Sequence, residues 1–262
     1  MSDEHVLHSD TRSTPRGDGV RDLHVSERWN TLLGHPNGGY LLATMLRGLR
    51  EEIGAGEPVS ASISYLSPPA PGPAELRTDV LRRGRVLSTA TASLHEGDRL
   101  VAHLVASFGD RTTRRAKELG SPPHLPPPER CIDPTTRGMV AEGLFARAEY
   151  RLPVVSDWSA GERSGDGVIR LWQRLEGGQE VDWTGLAFMT DSFAPAVLQI
   201  AGVVTTTTQL TAYFYRLPAP GWIATVLTTR HMVDGFHEED CELWDSAGNL
   251  VAQSRQLLMV LG

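Results

Sequence analysis

The 262-residue sequence predicts an α+β fold built twice in one chain, each half a long helix followed by an antiparallel sheet. Three observations carry that prediction. Two segments recur in the same order about 150 residues apart: Ser62-Ile-Ser-Tyr-Leu-Ser-Pro-Pro-Ala-Pro-Gly72 against Leu210-Thr-Ala-Tyr-Phe-Tyr-Arg-Leu-Pro-Ala-Pro-Gly221, and Glu96-Gly-Asp-Arg-Leu-Val-Ala102 against Asp245-Ser-Ala-Gly-Asn-Leu-Val-Ala252. A constant offset marks an internal duplication. Each copy places one apolar helical stretch before several β-rich runs. Gly120-Ser-Pro-Pro-His-Leu-Pro-Pro-Pro-Glu129 then falls near the middle of the chain, where so many prolines make a stiff, extended connector.

Taken in order, residues 1–22 carry charge, His, Ser and Gly without periodicity and read as a flexible tail. The first half spans 23–119. Its helix is Gly38-Gly-Tyr-Leu-Leu-Ala-Thr-Met-Leu-Arg-Gly-Leu49, with Leu41, Leu42, Met45, Leu46 and Leu49 on one broad face. Four β-rich runs follow: Ser60–Ser67, Ala74–Arg82, Leu87–Leu94 and Leu100–Phe108. The Pro-rich linker occupies 120–134 and the second half 135–262. There the helix is Gly185-Leu-Ala-Phe-Met-Thr-Asp-Ser-Phe-Ala-Pro-Ala-Val-Leu-Gln199, with Pro195 either in its first turn or kinking it. Its strands are Thr205–Tyr215, Trp222–Thr229, Phe236–Trp244 and Leu250–Leu261, set apart by turns at Gly221, Gly235 and Gly248. A helix wrapped by a curved antiparallel sheet is the hotdog plan, here in tandem (a double hotdog).

Composition narrows the function classes. Hydrophobic residues at 40% and charged residues at 22% are ordinary for a folded globular chain. No run approaches the roughly 18–20 apolar residues of a membrane span. The N-terminus lacks the basic start and apolar core of a signal peptide, so the expected address is cytoplasmic, with no membrane partner. Cys131 and Cys241 are too few for a disulfide framework or a cysteine metal site. A net charge of −7 argues against nucleic acid as a partner. Neither a Gly-x-Ser-x-Gly elbow nor a phosphate-binding Gly-x4-Gly-Lys-Ser/Thr loop is present, which disfavours an α/β-hydrolase and a P-loop enzyme.

Four segments together resemble the acyl-CoA thioesterase II (TesB-like) family over roughly residues 25–262. They are Gly38-Gly39-Tyr40-Leu-Leu-Ala, Phe188-Met-Thr-Asp191-Ser-Phe-Ala-Pro-Ala, Thr207-Thr-Gln-Leu-Thr, and Leu243-Trp-Asp-Ser-Ala-Gly-Asn-Leu-Val-Ala-Gln-Ser-Arg-Gln256. The last is the most specific. The resemblance implies a double hotdog that hydrolyses acyl-CoA thioesters, with its catalytic Asp, Thr and Gln at Asp191, Thr207 and Gln256. That chemistry needs a deprotonated water near the carbonyl and donors for the developing oxyanion. A carboxylate can take the proton, a neutral amide and a hydroxyl can hold the water, and backbone N–H groups at the helix start Gly38-Gly39-Tyr40 can polarise the carbonyl. No metal and no cofactor are required.

Each candidate has a plainer reading. From the residues alone, Asp191 is a helix cap or surface acid, and Gln256, beside the apolar run Leu257–Leu261, is an edge-facing amide unless something pairs it. Thr207 sits in the tract Thr205–Thr208. Strand alternation puts Leu210, Ala212 and Phe214 on the apolar face and Thr207, Gln209 and Thr211 on the other, and a one-residue slip would substitute Thr208. His35 before the Gly pair reads as structural or solvated, as do Arg82, Arg83 and Arg85 in their turn, which are weaker candidates for CoA phosphates. His231 and His237 with Glu238 and Glu239 hint at a metal but fall at a hairpin. Two other functions stay open: a non-catalytic acyl-binding protein, and a hotdog thioesterase or dehydratase acting on acyl carrier protein in specialised metabolism. Acyl chain length and branching are open as well. So is self-association into a homo-oligomer through the free sheet edge.

Overall fold

Runs of β-branched and small residues build one large antiparallel sheet around two helices. The computed structural model describes residues 6–110, 120–139 and 142–261. The chain opens with α1 (Val6–Asp10), β1 (Ser13–Gly17) and β2 (Val20–Val25), followed by the long helix α2 (Gly38–Ile53). Four strands come next: β3 (Glu57–Tyr65), β4 (Gly72–Arg82), β5 (Leu87–Glu96) and β6 (Arg99–Gly109). The second half supplies β7 (Ala148–Arg151), β8 (Val168–Leu175), α3 (Trp183–Met189), β9 (Val204–Phe214), β10 (Ile223–Thr228), β11 (Met232–Val233), β12 (Phe236–Trp244) and β13 (Leu250–Leu261). The strand order is β1-β2-β4-β5-β6-β3-β9-β13-β12-β10-β8-β7, with β11 paired to β12.

The first of the repeated segments, 62–72 and 210–221, begins in the central strands β3 and β9. β3 and β9 pair antiparallel, with Ala61 opposite Ala212 and Ile63 opposite Leu210, all four buried. The hydroxyls of Ser62 and Thr211 meet across the seam at 2.9 Å. All eight expected β-rich runs form strands, with ends within three residues of those read from the sequence. The turn between β12 and β13 is held by Asp245, whose carboxylate accepts the N–H groups of Ala247, Asn249 and Ala219.

Helix α2 packs on β3, β4, β5 and β6 and also against α3. It is therefore buried almost all round, Ala43, Thr44 and Gly48 included, rather than on one face. Asn37 caps its start and Gly54, at φ 69°, ends it in the left-handed region. One core runs through both halves. Trp29 lies against Tyr40 with ring centroids 5.2 Å apart and planes parallel, and meets Phe188 of α3 edge-on at 5.0 Å.

Three expectations change. Residues 6–22, read as tail, form α1, β1 and the start of β2. Leu7 is fully buried, and the Trp29 indole donates to Asp10 at 2.9 Å. Their sequence hides this because an edge hairpin buries too few residues to show periodicity; residues 1–5 lie outside the described part. The second helix stops at Met189, and Pro195, which lacks an N–H, caps a separate short 3-10 helix, Ala196–Gln199. The described part of the linker crosses the second half, with the Trp172 indole donating to the Pro126 carbonyl and Ile132 bridging Leu152. Most of 110–119 lies outside the described residues.

Candidate active site

The end of α3 meets the start of α2. Asp191 follows the Thr190 cap, in a turn whose carbonyls are all tied to the body of the fold. The Met189 carbonyl accepts from Gln173, that of Thr190 from the Ser254 hydroxyl, and that of Ser192 from the buried Tyr150 hydroxyl. Such a turn has little freedom, so the carboxylate it carries is aimed.

Opposite it, Asn37 does two jobs. Its Oδ1 accepts the Tyr40 N–H at 3.0 Å, capping α2, while its Nδ2 donates to the Asp191 carbonyl at 2.7 Å and to Oδ2 at 3.4 Å. The Gly39 N–H donates to the same Oδ2 at 3.0 Å. A side chain cannot fit here. A Cβ on Gly39 would stand 2.5 Å from the Phe188 carbonyl oxygen, and one on Gly38 would stand 2.7 Å from Asp191 Oδ2. The Gly pair is required by the closeness of the two helices rather than by unusual dihedrals. Tyr65 closes this side, donating its hydroxyl to the Gly38 carbonyl at 2.7 Å.

From the sheet comes Gln256. Its Nε2 donates to Asp191 Oδ1 at 3.2 Å and to Glu239 Oε1 at 2.8 Å, and its Oε1 accepts from the Thr207 hydroxyl at 2.8 Å. Thr207 reaches this face by a device that plain alternation does not contain. Leu257 pairs with Gln209, but Leu258 pairs with Thr207, so Thr208 is an extra residue in β9. The bulge turns Thr207 to the inner side and leaves the Thr208 hydroxyl on the Leu257 carbonyl. The face expected for Thr207, shared with Gln209 and Thr211, is therefore corrected. The structure brings Asp191, Thr207 and Gln256 together.

Burial pushes the Asp191 carboxyl up to about 6, against the opposing pull of its hydrogen bonds from Gln256, Gly39 and Asn37. The residue keeps partial access to solvent, as a group exchanging a proton with water must. Such a carboxylate is ionised at neutral pH yet more basic than a surface one.

The three backbone donors expected at the start of α2 are mostly engaged. Gly39 serves Asp191 and Tyr40 serves Asn37, which leaves the Gly38 N–H without a hydrogen-bond partner among the described residues. The Tyr40 side chain is core, not substrate surface: it is fully buried and its hydroxyl donates to the Asp10 carbonyl. His35 is exposed outside the cluster. Arg83 donates to the Ile53 carbonyl at the end of α2. His231 is exposed while His237 is buried on the inner face of β12.

The sequence is matched by the model of the acyl-CoA thioesterase N-terminal domain over residues 25–109 and by that of the C-terminal domain over residues 126–260. This chain belongs to the TesB-like acyl-CoA thioesterase family. Its relatives include an uncharacterized protein of Mycobacterium tuberculosis, 29% identical over 92% of this chain and 91% of its own length. A solved candidate thioesterase II from Thermobifida fusca shares 26% identity, with a TM-score of 0.89 and full coverage of both chains. A protein of unknown function with a hot dog fold from Alicyclobacillus acidocaldarius gives the same TM-score at 21% identity, over 99% of both chains. In this thioesterase-family chain the two matched domains carry α2 with β3–β6 and α3 with β7–β13, while β1 and nearly all of β2 precede the first match. Among the described residues, no helix is long and apolar enough to cross a membrane.

Two members of the cluster were not expected in it: Asn37, and Glu239, which entered the sequence reading only as part of a metal hint. Asn37 carried a signal, a capping residue directly before a helix-starting Gly pair. Glu239 carried one too: if Cys241 and Leu243 face inward, so does Glu239.

Proposed function

We propose that the chain hydrolyses an acyl-CoA thioester to the free acid and CoA, with Asp191 as general base. The observation that carries this reading is the Asp191 carboxylate. It is enclosed, aimed and shifted toward neutrality, within one hydrogen-bonded group with Gln256 and Thr207. A water donating one hydrogen to Asp191 and the other to the Thr207 or Gln256 oxygen keeps a lone pair for the carbonyl carbon. The proton passes to Asp191, the tetrahedral oxyanion is met by the Gly38 N–H at the start of α2, and the C–S bond breaks to release CoA thiol as Asp191 returns the proton. The chemistry requires neither a covalent intermediate nor a metal.

The test is release of free thiol from a panel of acyl-CoAs, run beside Asp191→Asn. An amide keeps the shape and loses the base, so turnover should fall by about 10²–10⁴-fold with binding of a non-hydrolysable analogue retained. A variant keeping more than about a third of the wild-type rate would remove Asp191 from the role of base.

A further inference from the structure

The Gln256 amide has one more partner than the reaction above uses. One of its N–H groups meets Asp191, the other meets Glu239, and its oxygen accepts from Thr207. Glu239 is 2% exposed. Its second oxygen accepts the Ala196 N–H at the start of the 3-10 helix that follows Asp191. No arginine or lysine pairs with it among the described residues. Around it stand Asp191 and Gln256, then His237 and Cys241 on its own strand, with Asp240 turned to the outer side and bound by Arg230 and Arg255. A carboxyl group buried without a counter-ion is expensive, and an apolar residue in this inward position of β12 would avoid the expense.

We propose that Glu239 is a positioning residue of this site: by accepting one N–H of Gln256 it fixes the amide with nitrogen toward Asp191 and oxygen toward Thr207. The proposal rests on the hydrolytic reading for its effect on rate, but not for the contact itself. An amide that flips presents its oxygen to the Asp191 carboxylate and its N–H groups to the Thr207 hydroxyl. That arrangement repels on one side and gives up the N–H contacts to both carboxyl groups. With two carboxyl acceptors on one side and a hydroxyl donor on the other, one orientation satisfies every group. Burial pushes the Glu239 carboxyl up, with the nearby Asp191 charge adding to it, while the N–H groups of Ala196 and Gln256 favour the ionised form that accepts at both oxygens.

The experiment uses the full chain labelled with 15N at its glutamine side chains, six in the sequence. Gln256→Ala identifies the Gln256 amide signal. In the wild type, both N–H protons should be shifted downfield and protected from exchange with water. In Glu239→Ala, that protection should vanish, kcat should fall about 10–100-fold and KM should stay within about twofold. Glu239→Gln offers one acceptor to two donors, so it should behave alike and serves if the alanine variant does not fold. The rate loss should disappear in a Gln256→Ala background, because Glu239 acts through that amide. A general structural defect would lower kcat there too. Retained protection in both variants, kcat within about twofold of wild type, or an equal loss in the Gln256→Ala background would each overturn the proposal. If no acyl-CoA in the panel releases thiol but Gln256 protection is lost with Glu239, the hydrolytic reading fails and the positioning contact stands.

Discussion

Asp191 shows what a fold does to one side chain. A free aspartate is ionised well below pH 5; here burial outweighs three hydrogen bonds and moves its titration to about 6. A base must be ionised to act, so kcat/KM should rise with pH and reach half its plateau near 6, which a pH–rate profile in thiol release reads directly. The same shift bears on stability. The unfolded chain loses this proton near 3.8 and the folded one keeps it to about 6. Between those values the folded state binds more protons, so this group's contribution to stability falls as pH rises from about 4 to 6 and stays lower above. The shift corresponds to on the order of 2–3 kcal/mol. Asp191→Asn, which cannot ionise, should therefore lose less thermal stability than wild type between pH 5 and pH 8. Melting curves at the two pH values check this, and a parallel fall in both proteins would contradict it.

At the scale of elements, the β9 bulge and the α2–α3 contact decide the geometry. The bulge gives Thr207 and Thr208 different fates although they are neighbours in a tract of four threonines. Thr207→Ala removes the hydroxyl from Gln256 and should lower kcat about tenfold or more, while Thr208→Ala removes a bond to a strand carbonyl and should leave kcat within about twofold. The reverse pattern in a steady-state comparison would place the catalytic hydroxyl at Thr208. The α2–α3 contact depends on the missing side chain at Gly39. Gly39→Ala drives a methyl into the Phe188 carbonyl and should destabilise by about 1–3 kcal/mol, measured by denaturant unfolding, while displacing Asp191 and lowering kcat.

Across the whole molecule, duplication leaves room for a second site where the end of α2 meets the start of α3, and there the chain has a cleft lined by His8, Arg47, Arg50, Glu51 and Asp182 instead of an Asp–Gln–Thr group. The Arg47 guanidinium there donates to the His8 carbonyl at 2.6 Å and the Thr11 hydroxyl at 2.9 Å, and His8 Nε2 lies 3.3 Å from Asp182, the cap of α3. Ala106 pairs with Ala61 in the first half much as Gln256 pairs with Leu210 in the second, and an alanine methyl cannot orient water. α2 carries no acid before Glu51. Titration of Asp191→Asn with a non-hydrolysable acyl-CoA analogue should therefore saturate at one equivalent per chain, and two equivalents would show a working second site. Deleting residues 1–11 removes fully buried Leu7 and the Asp10 partner of Trp29. Tm should fall by roughly 5–10 °C.

By itself the sequence determined the duplicated α+β plan, the strands β3–β6, β9, β10, β12 and β13 and the start of α2, because these rest on local periodicity and on turn and capping residues; it did not show β7 and β8. The family motifs also singled out Asp191, Thr207 and Gln256 as candidates. What only the tertiary structure decided involves groups far apart in the chain. Whether Thr207 or Thr208 faces Gln256 depends on a bulge set by pairing with β13, which alternation along β9 cannot contain. Whether a backbone N–H at the start of α2 is free depends on Asp191, 152 residues away from Gly39. Glu239 shows both limits together. Strand parity turns it inward, but only the approach of Gln256 and Ala196 from two other elements gives that buried carboxylate something to hold.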